Sequence, residues 1–310
     1  GQAAPPPPPP PSLSASLVNL TQPERLAAAR PFSWVHVPKT GPAIMQAVIF
    51  LPGVCTGLHR IKAMDSLCNV VSRNCDAVVW AHMHGGFRSP GPDLAPAACP
   101  GIERWCMHDG FNAQYLKGHK GHGLIMLRQP EQRLLAGYYN PGDHHGWKPE
   151  WGEVSIPEYA ETVQGVSVKM LSRDGGHYWV GPPAQNETDL AVQRLREGFA
   201  FVGITEEYEL SICMLHVMFG NECHESEFKS WHVSHHRHAA DGGYDVGELE
   251  GFKDVWDRQV FAEGMRIFKD NLDLYKVSKE SCMPCFRRAH VSKSKLASVG
   301  TFLSSWDPSA

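Results

Sequence analysis

The chain has 310 residues, 42% of them hydrophobic and 20% charged, with a net charge of −4 when His is neutral. That is ordinary globular composition, long enough for one large α/β domain or two small ones. No global basic field points to nucleic acid, and no window approaches the roughly 18 uninterrupted apolar residues of a membrane span.

The chain opens on Gly1 with no signal-peptide pattern, which suggests that an upstream segment has been removed. Residues 1–30 carry seven consecutive prolines, Pro5 to Pro11, and read as an extended, disordered stalk excluded from the fold. From Pro31 onward short apolar runs alternate with helical patterns, which predicts one α/β domain over 31–290 with a central parallel sheet flanked by helices. Strands are expected at 32–37, 76–82, 123–128 and 199–204. Helices are expected from about Ala43, then over 130–139, 155–173, 187–198, 205–220 and 254–279. Segments 85–122 and 140–155, rich in Gly, Pro and His, read as long loops suited to substrate contacts, and 291–310 reads as a tail.

Nine cysteines and two sequons, Asn19-Leu-Thr and Asn186-Glu-Thr, point to an oxidising, lumenal or extracellular setting. Cys282 and Cys285 form a C-x-x-C that reads as a redox pair or a structural disulfide, and Cys213 with Cys223 is another possible pair.

The chemistry-bearing stretch is "VHVPKTG", where Pro38, Lys39, Thr40 and Gly41 follow a strand and precede Pro42, Ala43 and a helix. A tight turn feeding a helix start is a generic anion cradle, and Lys39 adds a charge at its mouth; the alternative is a solvated lysine in an ordinary turn. It is not a Walker A loop, which leaves a P-loop kinase as the weakest reading. "LRQPEQRLLAGYY" puts Arg128 at the carboxyl end of another strand, where ligands of parallel α/β sheets sit. Arg128 then grips an anion such as phosphate, or else pairs with Glu131 while Arg133 lies on the helix surface. "VVWAHMHGGF" ends a strand on His82, with His84 two positions on; either is a general base or a hydrogen-bonded core histidine. His232, His235, His236 and His238 cluster, but no Cys or carboxylate stands at ligand spacing, so they read as a solvated loop, with zinc as the alternative.

"VPKTG" followed downstream by "LRQPEQRLLAGYY" resembles the two nucleotide-binding segments of the PAPS-dependent sulfotransferases, and most of all the Golgi carbohydrate type that includes the heparan sulfate 2-O- and galactose 3-O-sulfotransferases. "FVGITEEYELSICML" and "NLDLYKVSKESC" also resemble later segments of that family, in the same order, so the resemblance runs from about Phe32 to Cys285. It implies a P-loop-like sulfotransferase fold, PAPS as donor, PAP as product, a carbohydrate acceptor, and a type II protein of the Golgi lumen whose membrane anchor lies outside this chain. It further implies that Pro38, Lys39, Thr40, Gly41, Pro42 and Ala43 cradle the 5′-phosphosulfate, and that Arg128 and Ala136 meet the 3′-phosphate. His82, with His84, takes the acceptor proton, His232 and His235 help to cover the nucleotide, and no metal is needed. The chain departs from the family where Pro42, Ala43 and Ala136 replace hydroxyl residues. Those departures favour a catalytically degenerate binder of nucleotide or glycan as the alternative.

Overall fold

The computed structural model describes residues 10–41, 44–56, 100–140, 145–176, 178–228 and 243–307. Its centre is a parallel sheet in the order β2-β1-β3-β4, with β1 Phe32–His36, β2 Ile102–Met107, β3 Gly123–Leu127 and β4 Phe199–Ile204. Every residue of β1, β3 and β4 is buried, because helices cover both faces, and this explains why these strands read as near-continuous apolar runs. The α/β expectation and three of its strands therefore hold. The expected strand at 76–82 lies outside the described residues. A strand at 102–107 instead runs through the stretch read as a loop, its "IERWCM" too polar to resemble the other three.

The flanking helices are α1 Gln22–Ala29, α2 Ile44–Phe50, α3 Pro130–Tyr138, α4 Ile156–Val163, α5 Val166–Ser172, α6 Gln185–Gly198, α7 Tyr208–Phe219, α8 Val255–Leu274 and α9 Lys279–Arg288. Helix α8 lies so close to the sheet that a Cβ on Gly264 would stand 2.4 Å from Leu127 Cδ1, so a larger residue at that crossing would force the Leu127 side chain to shift. Helix α7 is apolar on nearly all sides and correspondingly buried. Residues 155–173, read as one helix, break at Gly165, whose φ of 69° ends α4 and starts α5.

What drives that break is a set of carboxylates from the start of α8. Asp254 Oδ2 accepts from the Gly165 N–H at 2.9 Å, and Asp257 accepts from the N–H groups of Ser167 and Val168, both at 3.0 Å. They satisfy the otherwise unpaired amides at the start of α5. The same two carboxylates face Arg133 at 3.8 and 3.4 Å, which corrects the reading of Arg133 as helix surface: its side chain is 1% exposed. Burial and the neighbouring Asp257 charge push Asp254 up to about 7.

Both ends of the chain are also corrected. Residues 12–29 are not stalk: Leu17, Leu26 and Ala29 join the core, and Asn271 and Tyr275 of the α8 end donate to Ser14. Arg25 and Gln22 donate to the carbonyls of His216, Val217 and Met218 in the last turn of α7. At the other end, buried Glu207 accepts from the N–H groups of Gly300 and Leu303, while Phe302 and Trp306 pack edge-on against Phe261. The "tail" is thus a clasp on α8. Among the described residues no helix is long and apolar enough to cross a membrane.

The cysteines pair across elements: Cys213 with Cys282 and Cys223 with Cys285, both joining α7 and its exit to α9. Neither the C-x-x-C pairing nor Cys213–Cys223 forms, because C-x-x-C on a helix places both sulfurs on the face that meets α7. Cys55 is also disulfide-bonded.

Removing Asp257 leaves two backbone amides and the Arg133 guanidinium buried without it. Asp257→Ala should therefore cost about 3–5 kcal/mol in urea unfolding, against about 0.5 kcal/mol or less for the exposed Asp273→Ala. Equal losses in the two variants would contradict the network described.

Candidate functional site

Because all four strands are parallel, their carboxyl ends share one edge of the sheet, and each delivers a polar group there. His108 follows β2, Lys39 lies just beyond β1, Arg128 follows β3, and Glu206 stands beyond β4.

The turn after β1 is built to hold one side chain out. Pro38 and Thr40 are buried, and the Thr40 hydroxyl donates to the Val37 carbonyl at 2.8 Å rather than facing a ligand. Thr205, beyond β4, donates to the Thr40 carbonyl at 2.7 Å and locks the turn to the next strand end but one. Gly41 has φ 89°, a backbone that favours glycine, and Lys39 itself sits at φ 66°, a strained choice for a long side chain. Lys39 Nζ, half-buried, donates to Asn140 Oδ1 at 3.2 Å. Burial, and then the Arg128 charge, hold the amine below its ordinary value. A lysine set this way loses little solvation when an anion arrives.

Arg128 is fixed from three sides. One nitrogen donates to the Lys39 carbonyl at 3.3 Å, Nε lies 3.9 Å from Glu206 Oε1, and the guanidinium sits 5.7 Å from the centre of the Tyr244 ring. Tyr244 is itself held by Gln132, which donates to its carbonyl and accepts from its amide, both at 2.8 Å. Glu131 is not the partner of Arg128: its carboxylate takes Gln129 Nε2 at 2.7 Å and the Asp254 amide at 3.3 Å. Glu206 accepts from the Gln129 amide at 3.0 Å, and burial raises its carboxyl above the ordinary range against the pull of Arg128. Its second oxygen is buried without a hydrogen bond. Two cations thus stand here beside one carboxylate, Glu206, whose carboxyl burial raises.

A file of three imidazoles starts in β1. His36, buried in β1, stacks on Trp34 at 4.4 Å and meets His108 at 4.5 Å, and His108 meets His145 edge-on at 5.2 Å. His108 occupies left-handed backbone, φ 57°, directly after β2.

Arg128 is therefore brought to the Lys39 carbonyl. Ala136 is 1% exposed on α3, so a side chain there meets protein rather than solvent, and its placement against a phosphate is corrected. Pro42, Ala43, His82, His84, His232 and His235 lie outside the described residues. His108, Asn140, His145, Glu206 and Tyr244 were not singled out from the sequence. For His108 a signal existed, since a histidine ends "IERWCM" as one ends "VVWAH", but the charged pair Glu103-Arg104 hides the strand. No family model matches the chain, and neither a curated protein nor a solved structure matches it.

A carboxylate at Glu206 would oppose an anion beside Arg128. Glu206→Gln should tighten pyrophosphate binding by roughly three- to tenfold in calorimetry, the scale of a partly screened charge. Wild-type affinity should also climb as pH falls through the raised Glu206 value, a slope that the Gln variant loses. A weaker affinity in the variant would mean that Glu206 serves to hold Arg128 in place.

Proposed function

We propose that the protein is a sulfotransferase that moves the sulfuryl group of PAPS to a hydroxyl of a carbohydrate acceptor. The observation that carries this reading is the placing of Lys39 and Arg128 on the carboxyl ends of adjacent strands β1 and β3, joined through the Lys39 carbonyl. These are the two residues that the resemblance assigns to the two ends of the nucleotide. On this reading the parallel sheet is the centre of a P-loop-like sulfotransferase fold, and the disulfides suit a Golgi lumen setting.

Each residue then has a task. Arg128 holds the 3′-phosphate with charge-assisted hydrogen bonds and sets the register of the donor. A histidine takes the proton of the acceptor hydroxyl, the oxygen attacks sulfur in line, and the bond from sulfur to the 5′-phosphate oxygen breaks. Lys39 stabilises the charge that develops on that leaving oxygen. His82 is the base that the resemblance names; His108 is the candidate among the described residues, because it directly follows β2, the strand paired with β1 that leads to Lys39. His36 and His145, whose rings pack against it, would orient it.

A second reading, a degenerate binder of nucleotide or glycan, rests on Pro42 and Ala43, which stand where the resembling family offers hydroxyl residues. Titration with PAP, with sulfate transfer from labelled PAPS measured alongside, separates the two: both readings expect binding, and only the first expects transfer. Absence of PAP binding defeats both.

Lys39→Ala should lower transfer by about 10²–10³-fold with little change in the unfolding midpoint, as for a lost transition-state contact. Arg128→Ala should weaken PAP by about 2–3 kcal/mol. Retention of most activity in Lys39→Ala would refute the phosphosulfate assignment.

Replacing the base should cut turnover by about 10²–10⁴-fold with PAP affinity intact, and abolish the rise of rate through the acid side of neutrality. The comparison is His108→Ala against His82→Ala. Loss of the limb in His108→Ala alone identifies His108; loss in His82→Ala alone returns the role to His82.

A further inference from the structure

Behind the sheet, at the exit of α7, His216, Cys223 and Glu227 form a buried trio whose ligand-type atoms all lie within 4.8 Å of one another. It is the one such group among the described residues. The imidazole is oriented as metal-bound histidines are. Nδ1 lies 3.0 Å from the Gly220 carbonyl, which only accepts, so Nδ1 carries a proton and Nε2 is turned to the trio. Nε2 stands 3.1 and 3.0 Å from the two Glu227 oxygens, so a single proton is shared between this ring nitrogen and the carboxylate. Glu227 is otherwise held by the His224 amide at 2.9 Å, through Oε2, which leaves Oε1 directed only at His216.

The third member is tied up. Cys223 is bonded to Cys285, and a disulfide sulfur is a poor metal donor beside a thiolate. Of the two disulfides that join α7 and its exit to α9, this is the more accessible: Cys223 is 5% exposed and Cys285 half-buried, whereas Cys213 and Cys282 are 3% and 0% exposed.

We propose that reduction of the Cys223–Cys285 disulfide opens a zinc site with four ligands, His216, Glu227, Cys223 and Cys285. A thiol or phosphine reductant supplies two electrons, the S–S bond breaks, and two protons from water complete the two thiols. Zinc then displaces those protons together with the one shared by His216 and Glu227. Two thiolates, an imidazole and a carboxylate are a zinc-type donor set and fill a tetrahedron. The site uses none of the residues assigned to the nucleotide, so it stands or falls separately from the transferase reading. In the oxidised protein it is closed, and a change from an oxidising to a reducing compartment would exchange a covalent tie between α7 and α9 for a metal one.

The probe is cobalt(II), whose charge-transfer band reports thiolate ligation, added to the full chain before and after a phosphine reductant. The reduced chain should show the band, and zinc should abolish it at one equivalent per chain; the untreated chain should not show it. His216→Gln should weaken cobalt binding at least about tenfold, the scale on which even an outer partner of a ligand matters. Cys285→Ser leaves the Cys223 thiol free and should show a fainter band with no reductant at all. That variant decides the matter if His216→Gln fails to fold. No band on reduction, uptake without a band as a His-only cluster gives, or a band unchanged in both variants would overturn the proposal.

Discussion

The burial of Arg133 between Asp254 and Asp257 is the constraint on which the candidate site depends. Taking three charges out of water is expensive, and these ion pairs, at 3.8 and 3.4 Å, are longer than good hydrogen bonds. The cost is offset because the same carboxylates cap the start of α5, so one cluster fixes three helices, α3, α5 and α8. From Asp254 the hydrogen bonds run outward through its amide to Glu131, from Glu131 to the Gln129 side chain, and from the Gln129 amide to Glu206 beside Arg128. The position of Arg128 is thereby tied to a polar cluster in the interior. Preorganisation of this kind is what an electrostatic catalyst needs, since a charge that must first be moved into place contributes less.

A second dependence runs through the topology. In a parallel sheet every strand points the same way, so whatever follows each strand collects at one edge. Here that edge carries an imidazole, an amine, a guanidinium and a carboxylate, one from each strand. The strained backbone at Lys39 and His108 lies at this edge, where the cost of an unusual conformation is repaid by the direction that it gives a side chain. Glu206 moderates the field: with its carboxyl raised by burial, it restrains Arg128 without wholly cancelling it.

The two chain ends and the disulfides act on α7, α8 and α9. Residues 12–29 satisfy the last carbonyls of α7, the C-terminal turns satisfy Glu207 and cover α8, and α9 is stapled to α7. Helix α7, which directly follows the Glu206 strand end, is thus held by groups from both termini. This explains why a helix with scarcely any polar face can be accommodated in so small a sheet protein.

What the sequence by itself determined is local. The runs "FSWVHV", "GLIMLR" and "FAFVGI" announce buried strands because β-branched and aromatic residues covered on both faces need no alternation. Pro130 and Gly41 announce where α3 begins and where the turn after β1 must bend, and Lys39 and Arg128 are legible because each follows such a strand. The rest was decided by tertiary structure. No period in the sequence shows that Arg133 points inward, since its partners lie more than a hundred residues away on α8. The cysteine pairing depends on which helix faces which, and residues 12–29 are recruited by carbonyls at the end of α7 that a linear reading does not see. His108 belongs to the site only because β2 lies beside β1, a long-range pairing that no local pattern encodes.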